Sequence, residues 1–159
     1  MRINFKKSNL IYIISFLFGI ITPFVTAIIV IEFFYIGIFL PFLLVISVLI
    51  LLVNIINNKK KNFFSKETTK IAFVLPIFIF SQILSSFIVD KIQRFRSNLI
   101  ISKIQNKEIE ISSTPKRNIG IEYQKLKNND FVIKYGRGFF VTEIYYDSEK
   151  EWKSYGWND

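Results

Sequence analysis

One stretch constrains this chain more than any other: Asn9 to Ile56 is 48 residues long and carries a single formal charge, Glu32. As one helix at 1.5 Å per residue it would reach about 72 Å, against a bilayer hydrocarbon core of about 30 Å. The stretch therefore predicts two crossings. The fold-back is expected at Glu32-Phe33-Phe34-Tyr35, because a carboxylate is costly at the bilayer centre and aromatic rings favour the headgroup level. The first span reads as residues 10–31 and the second as 34–56. Ile71–Val89, between Lys70 and Asp90, is a third apolar run, and at about 28 Å it is just long enough to cross. The first run is too long for the apolar segment of a secretory signal and no A-x-A site follows it, so it reads as an uncleaved span.

The basic residues orient these spans. Arg2, Lys6 and Lys7 precede the first, and Lys59, Lys60, Lys61, Lys66 and Lys70 fill the loop before the third, whereas the first loop holds only Glu32. Lys and Arg stay on the cytoplasmic side in short loops. The expected topology is N-terminus inside and C-terminal tail outside, in a bacterial inner membrane. Lys91, Arg94 and Arg96 after the third span oppose this, but long exported segments escape the rule. Lys59, Lys60 and Lys61, beside Phe63 and Phe64, are also candidates for contact with an anionic lipid surface.

Composition closes off several chemistries. Cys and His are absent, which excludes disulfides, Cys/His zinc sites and His-based triads. The net charge of +9 is spread over three segments rather than gathered in one patch, so no nucleic-acid partner is expected. Phosphate-binding glycine loops and G-x-S-x-G are missing, and Gly136-Arg137-Gly138 reads as a turn. Ser113 and Lys116 form an isolated S-x-x-K without the partners that give it meaning. Glu143, Asp147, Glu149 and Glu151 match no calcium loop and read as a solvated, mixed-charge turn. No catalytic residue, metal site or cofactor is assigned, and the chain reads as non-enzymatic.

Each span holds one proline, Pro23, Pro41 and Pro76, and the third also holds Ser81, Gln82, Ser85 and Ser86. Ser81 with Ser85 and Gln82 with Ser86 are four apart and share a helical face. That face either binds the other spans or lines a polar path.

Beyond Val89 the pattern changes. Ile88, Ile92, Phe95 and Leu99 keep a helical stripe, predicting an amphipathic helix over 90–105. Period-two alternation follows at 108–111, 119–123, 131–135 and 139–146, with Phe140, Ile144 and Tyr146 on one face of the last. Ser113–Asn118 reads as a loop, Tyr135–Gly138 as a hairpin turn, and Trp152, Tyr155 and Trp157 as an aromatic end able to anchor a partner. The expected fold is thus three transmembrane helices (1–89) plus a small C-terminal α+β domain (90–159), with a long helix on an antiparallel meander.

A membrane helix running into an amphipathic helix and then a meander, over 71–159, resembles the pseudopilins and type IV pilin-like domains. The resemblance implies that architecture and no functional residue. The expected role is to present the outer domain to another membrane or periplasmic protein, with a toxin-immunity-like protein and a transport or channel accessory subunit as alternatives.

Overall fold

The structure, a computed structural model, describes residues 7–37, 39–57, 67–126 and 130–156. The chain divides into two units, 1–85 and 86–159. Its elements are helices α1 (Lys7–Ile21), α2 (Thr26–Ile31), α3 (Leu40–Asn57) and α4 (Glu67–Gln105), then strands β1 (Lys116–Asn118), β2 (Ile121–Lys125), β3 (Phe131–Gly138), β4 (Val141–Tyr146) and β5 (Glu151–Tyr155).

In the N-terminal unit the first apolar run is not one rod. It breaks at a 3-10 turn, Thr22–Phe24, followed by an extended Val25, and the helical pieces on either side are bent by 98°. Pro23 sits in this turn; it has no N–H to donate, so one helical hydrogen bond is lost where the run breaks. A π turn, Glu32–Ile36, follows α2, and the next helix starts at Leu40 rather than Phe34. By length and composition, α4 is the one described helix able to cross a membrane; the bent pair would make a second as a broken span, and Leu40–Ile56 is shorter.

Contacts within this unit set the directions of its helices. Ser15 Oγ donates to the Val74 carbonyl at 3.1 Å and Ser85 Oγ to the Ile20 carbonyl at 2.8 Å, so α1 runs parallel to the first half of α4. Ser47 Oγ donates to the Ala72 carbonyl and Asn54 Nδ2 to Thr69 Oγ1 at 3.0 Å, so α3 runs antiparallel to it. Gly19 permits the close approach of α1: a Cβ there would lie 1.9 Å from Ser81 Oγ and 2.6 Å from the Phe78 carbonyl oxygen. Small residues perform this role where helices meet in lipid.

Burial in this unit is inverted relative to a water-soluble core. Thr22, Ser47, Thr69, Ser81, Gln82 and Ser85 are buried, while Ile14, Leu17, Ile21, Phe42, Ile56 and Ile71 are each more than half exposed.

In the C-terminal unit the five strands form one antiparallel sheet in the order β1-β2-β3-β4-β5. Ile100, Ile101 and Ile104 from the end of α4 cluster with Ile121, Phe131, Ile133, Tyr135 and Tyr145 of the sheet. A long helix on an antiparallel meander is therefore present, with four local differences from the sequence expectations. Residues 108–111 are not a strand; the chain there leaves the helix through turns. The expected loop 113–118 contains β1, and the turn falls at Ile119-Gly120, between Asn118 and its partner Ile121. Tyr135–Gly138 lies within β3, and the hairpin turn is Phe139-Phe140, between Gly138 and Val141. The helix face is also reversed. Ile88, Ile92, Phe95 and Leu99, the regular apolar stripe, are each at least 45% exposed. The sheet takes the opposite side, where Asp90, Arg94 and Ser97 precede the three isoleucines. Strand β4 likewise turns Glu143 and Tyr145 inward and Ile144 and Tyr146 outward. Hydrophobic period alone could not choose between the two sides, because the sheet offers its own polar partners to the less apolar one.

Both turns that the sequence misplaced carry residues at positive φ: Ile119 at 41°, Gly120 at 79°, Phe139 at 53° and Phe140 at 61°. Two-residue hairpins need this left-handed geometry, which favours Asn and Gly. Bulky and β-branched residues adopt it at a cost of order 1–3 kcal/mol each.

Candidate functional site

Two clusters of polar side chains stand out, one in each unit. In the C-terminal unit the register aligns Tyr135 with Glu143 and Glu143 with Ser154 across β3, β4 and β5, all on the face beneath α4. Glu143 is 1% exposed. Its Oε2 accepts from Arg94 Nη2 at 2.8 Å; its Oε1 accepts from Arg137 Nη1 at 2.9 Å and from Ser154 Oγ at 2.6 Å. The Arg94 guanidinium also lies over the Trp152 ring at 4.0 Å, a cation–π contact. Trp152 meets Tyr135 edge-on at 5.6 Å, and the Tyr135 hydroxyl donates to Asp90 Oδ1 at 2.7 Å. Burial, and then that hydrogen bond, push the Tyr135 phenol well above the ordinary tyrosine range.

This is a clamp between helix and sheet. Two arginines and a hydroxyl occupy both oxygens of the carboxylate, so Glu143 presents no free base. The expected solvated turn is thus corrected at two positions: Glu143 belongs to the interior, and Glu151, though exposed, opens β5. Asp147 does lie in the turn, paired with Lys150.

In the N-terminal unit Gln82 Nε2 donates to Thr22 Oγ1 at 2.8 Å and reaches both oxygens of Glu32, at 2.8 and 3.0 Å. Thr22 Oγ1 donates in turn to the Gly19 carbonyl at 3.2 Å. The Ser81/Gln82/Ser85/Ser86 face is occupied by helix and sheet contacts: Ser81 bonds its own helix at the Phe78 carbonyl, Ser85 bonds α1, and Ser86, in the C-terminal unit, donates to the Arg137 carbonyl at 2.8 Å. Sequence reasoning missed the Glu32–Gln82 contact. Its signal was present, because isolated polar groups within apolar runs satisfy each other when they are removed from water.

The expected partner-binding aromatics are not brought together. Trp152 faces α4, within the clamp. Tyr155 lies on the opposite face of β5, where its hydroxyl accepts from the Tyr146 hydroxyl at 3.3 Å. Trp157 lies outside the described residues, as do Lys59, Lys60, Lys61, Phe63 and Phe64.

Hollows lie on the surface of both units. A cleft of about 480 Å³ between α3 and α4 is lined by Leu43, Ile46, Ile50, Ile71 and Leu75. A depression of about 650 Å³ beside the end of α4 has Ile104, Lys107, Glu110, Lys125 and Asp147 in its wall. A third, of about 360 Å³, has Glu122 and Lys134 in its wall. There Glu122 pairs with Arg117 at 2.9 Å and Lys134 at 2.8 Å; the Lys134 contact first, and then Arg117, hold its carboxyl below the usual glutamate range. Among the described residues no group of three or more acidic side chains is placed to hold a metal ion. No protein-family model, curated protein or solved structure matches the chain.

Proposed function

We propose that this chain is a multi-span protein of a bacterial inner membrane that holds its C-terminal α+β unit outside as a binding platform for another membrane or periplasmic protein, without catalysis. Support for the spans comes from the inverted burial of the N-terminal unit: large apolar side chains outward and hydroxyls and amides inward suit lipid as solvent. The helix directions agree, since α1 parallel and α3 antiparallel to α4 is the up-down-up order that three crossings require. The lysine-rich 59–70 segment then lies in the cytoplasm and residues 90–159 outside.

One observation carries the platform reading. Ile88, Ile92, Phe95 and Leu99 form a stripe on the side of α4 turned away from the sheet, and each remains at least 45% exposed. Ile88 still lies within the span, but Phe95 and Leu99 lie beyond it, and covering the exposed half of such a side chain is worth about 1 kcal/mol. The stripe continues the apolar side of the preceding helix, through Phe80, Ile83 and Phe87. The partner it fits is therefore an amphipathic helix that continues from a membrane span of its own and lies along α4 by 3.6-residue ridges. A photo-crosslinking residue at Phe95 in the full-length protein, in cells, is expected to trap one discrete protein. The same residue at Glu149, in the charged turn, is expected to trap none. Lipid adducts alone at Phe95 would remove the platform role.

The Glu32–Gln82–Thr22 cluster favours a second reading, a transport accessory, because an ionisable residue and a broken helix at membrane depth are features of transport pathways. Liposomes carrying the purified protein would then show a solute or ion flux that Glu32→Gln abolishes; absence of flux would eliminate this role.

A further inference from the structure

The two ends of the β-sheet differ in chemistry, and the difference follows the direction of α4. Strand β3 runs against the helix: Arg137 is bonded to Ser86, midway along α4, and Gln105, at its last turn, reaches Asp147 at 3.4 Å. The sheet end beside Gln105 carries Asp130, just before β3, and the turn Asp147–Lys150, which holds Asp, Ser, Glu and Lys. The end beside Ser86 carries Ile119-Gly120, Phe139-Phe140 and the Tyr155-Gly156 end of β5. Turns ordinarily take polar residues, glycine or proline. Here one end of the sheet places an isoleucine and two phenylalanines in turns, all at positive φ; Ile119 is 78% exposed and both phenylalanines are half-buried.

We infer that this end of the sheet, led by Phe139-Phe140 with Ile119 beside it, sits in the interfacial layer of the bilayer's outer leaflet. The inference rests on the membrane-spanning reading of α4. On that reading Val89-Asp90 marks the edge of the hydrocarbon. Ser86 lies about 4–5 Å below that edge along the helix, and Phe139-Phe140 are one and two residues beyond its partner's neighbour, Gly138. The Ile119 carbonyl accepts from Gln93 Nε2 at 3.2 Å and Arg96 Nη1 at 3.0 Å. Those side chains lie about 6–10 Å above the edge, within the headgroup layer. Aromatic rings are enriched at that depth, and Lys91, Arg96 and Arg117 lie where anionic headgroups would meet them. Left-handed backbone at bulky residues persists where the surroundings hold it, and contact with lipid supplies a use for apolar side chains at turn tips.

The native chain has no cysteine, so single cysteines can be labelled in the full-length protein. The test places an environment-sensitive fluorophore at Ile119→Cys, Phe139→Cys, Ser148→Cys and Phe80→Cys. Each variant is reconstituted into phosphatidylcholine–phosphatidylglycerol vesicles containing a lipid with a nitroxide near the top of its acyl chain. Quenching at 119 and 139 is expected to exceed that at 148, at the charged end, by several-fold. Position 119 keeps the test valid should substitution at 139 disturb the hairpin. Quenching at 80 with none above the level of 148 at 119 and 139 would overturn the inference and leave the span standing. A blue-shifted but unquenched label at 139 would mean that protein covers the tip, which also overturns it. No quenching at 80 would remove the span, and the inference with it.

Discussion

Glu143 shows how a single residue can bind two elements and how its sequence neighbours can mislead. Among Asp147, Glu149 and Glu151 it looks like one more surface acid, yet the alternation of β4 turns it inward to two guanidiniums and a hydroxyl. Removing one partner of a buried pair leaves uncompensated charge. Glu143→Ala is therefore expected to destabilise the C-terminal unit by about 3 kcal/mol, the low end for such pairs because Arg94 and Arg137 still reach water. Denaturant unfolding followed through Trp152 would measure it. Glu122→Ala, which breaks two pairs with exposed partners, is expected to cost less than about 1 kcal/mol. Tyr135 supplies a prediction in pH. Its phenol ionises at higher pH in the folded than in the unfolded chain, so the folded state binds more protons above the ordinary tyrosine range near pH 10. Stability contributed by this group is intact below pH 10 and is lost as pH rises beyond it. Tyr135→Phe is expected to flatten the alkaline decline in stability; an unchanged slope would show that other groups govern it.

At the scale of elements, the hairpin turns offer the sharpest contrast between local preference and adopted geometry. Ile119-Gly120 occupies a two-residue turn that Asn-Gly would fit without strain. Ile119→Asn is expected to stabilise the C-terminal unit by about 1 kcal/mol, readable as a higher unfolding midpoint in detergent. The same change is expected to weaken lipid contact at this position, so stability and membrane contact move in opposite directions. Helix α1 depends on the opposite kind of fit. Gly19 has no room for a Cβ, and Gly19→Leu is expected to separate α1 from α4. The separation would appear as loss of a cysteine crosslink between positions 15 and 74, where the native hydrogen bond spans 3.1 Å.

For the whole molecule, α4 is shared by two units that bury different kinds of residue. Its first half is apolar on the exposed side and polar where it meets α1; its second half meets a sheet with a clamp of charge and a cluster of isoleucine and tyrosine. If lipid and water divide the chain as proposed, the protein remains with the membrane pellet through carbonate washing. An impermeant thiol reagent would then label Asn118→Cys from outside and leave Asn62→Cys unlabelled until the membrane is opened. Label at position 62 first would reverse the topology.

The sequence by itself determined the length of the apolar runs, the presence of a long helix followed by alternating strands, and the lack of Cys and His. These follow from composition and period, which each short window carries in full. It did not determine which side of α4 meets the sheet, where two hairpins turn, that the first run is bent by 98°, or that Glu32 meets Gln82 and Glu143 meets Arg94. The last two are contacts between residues about 50 positions apart. A buried polar side chain is tolerated only where its partner waits, and only the tertiary structure sets which partner that is.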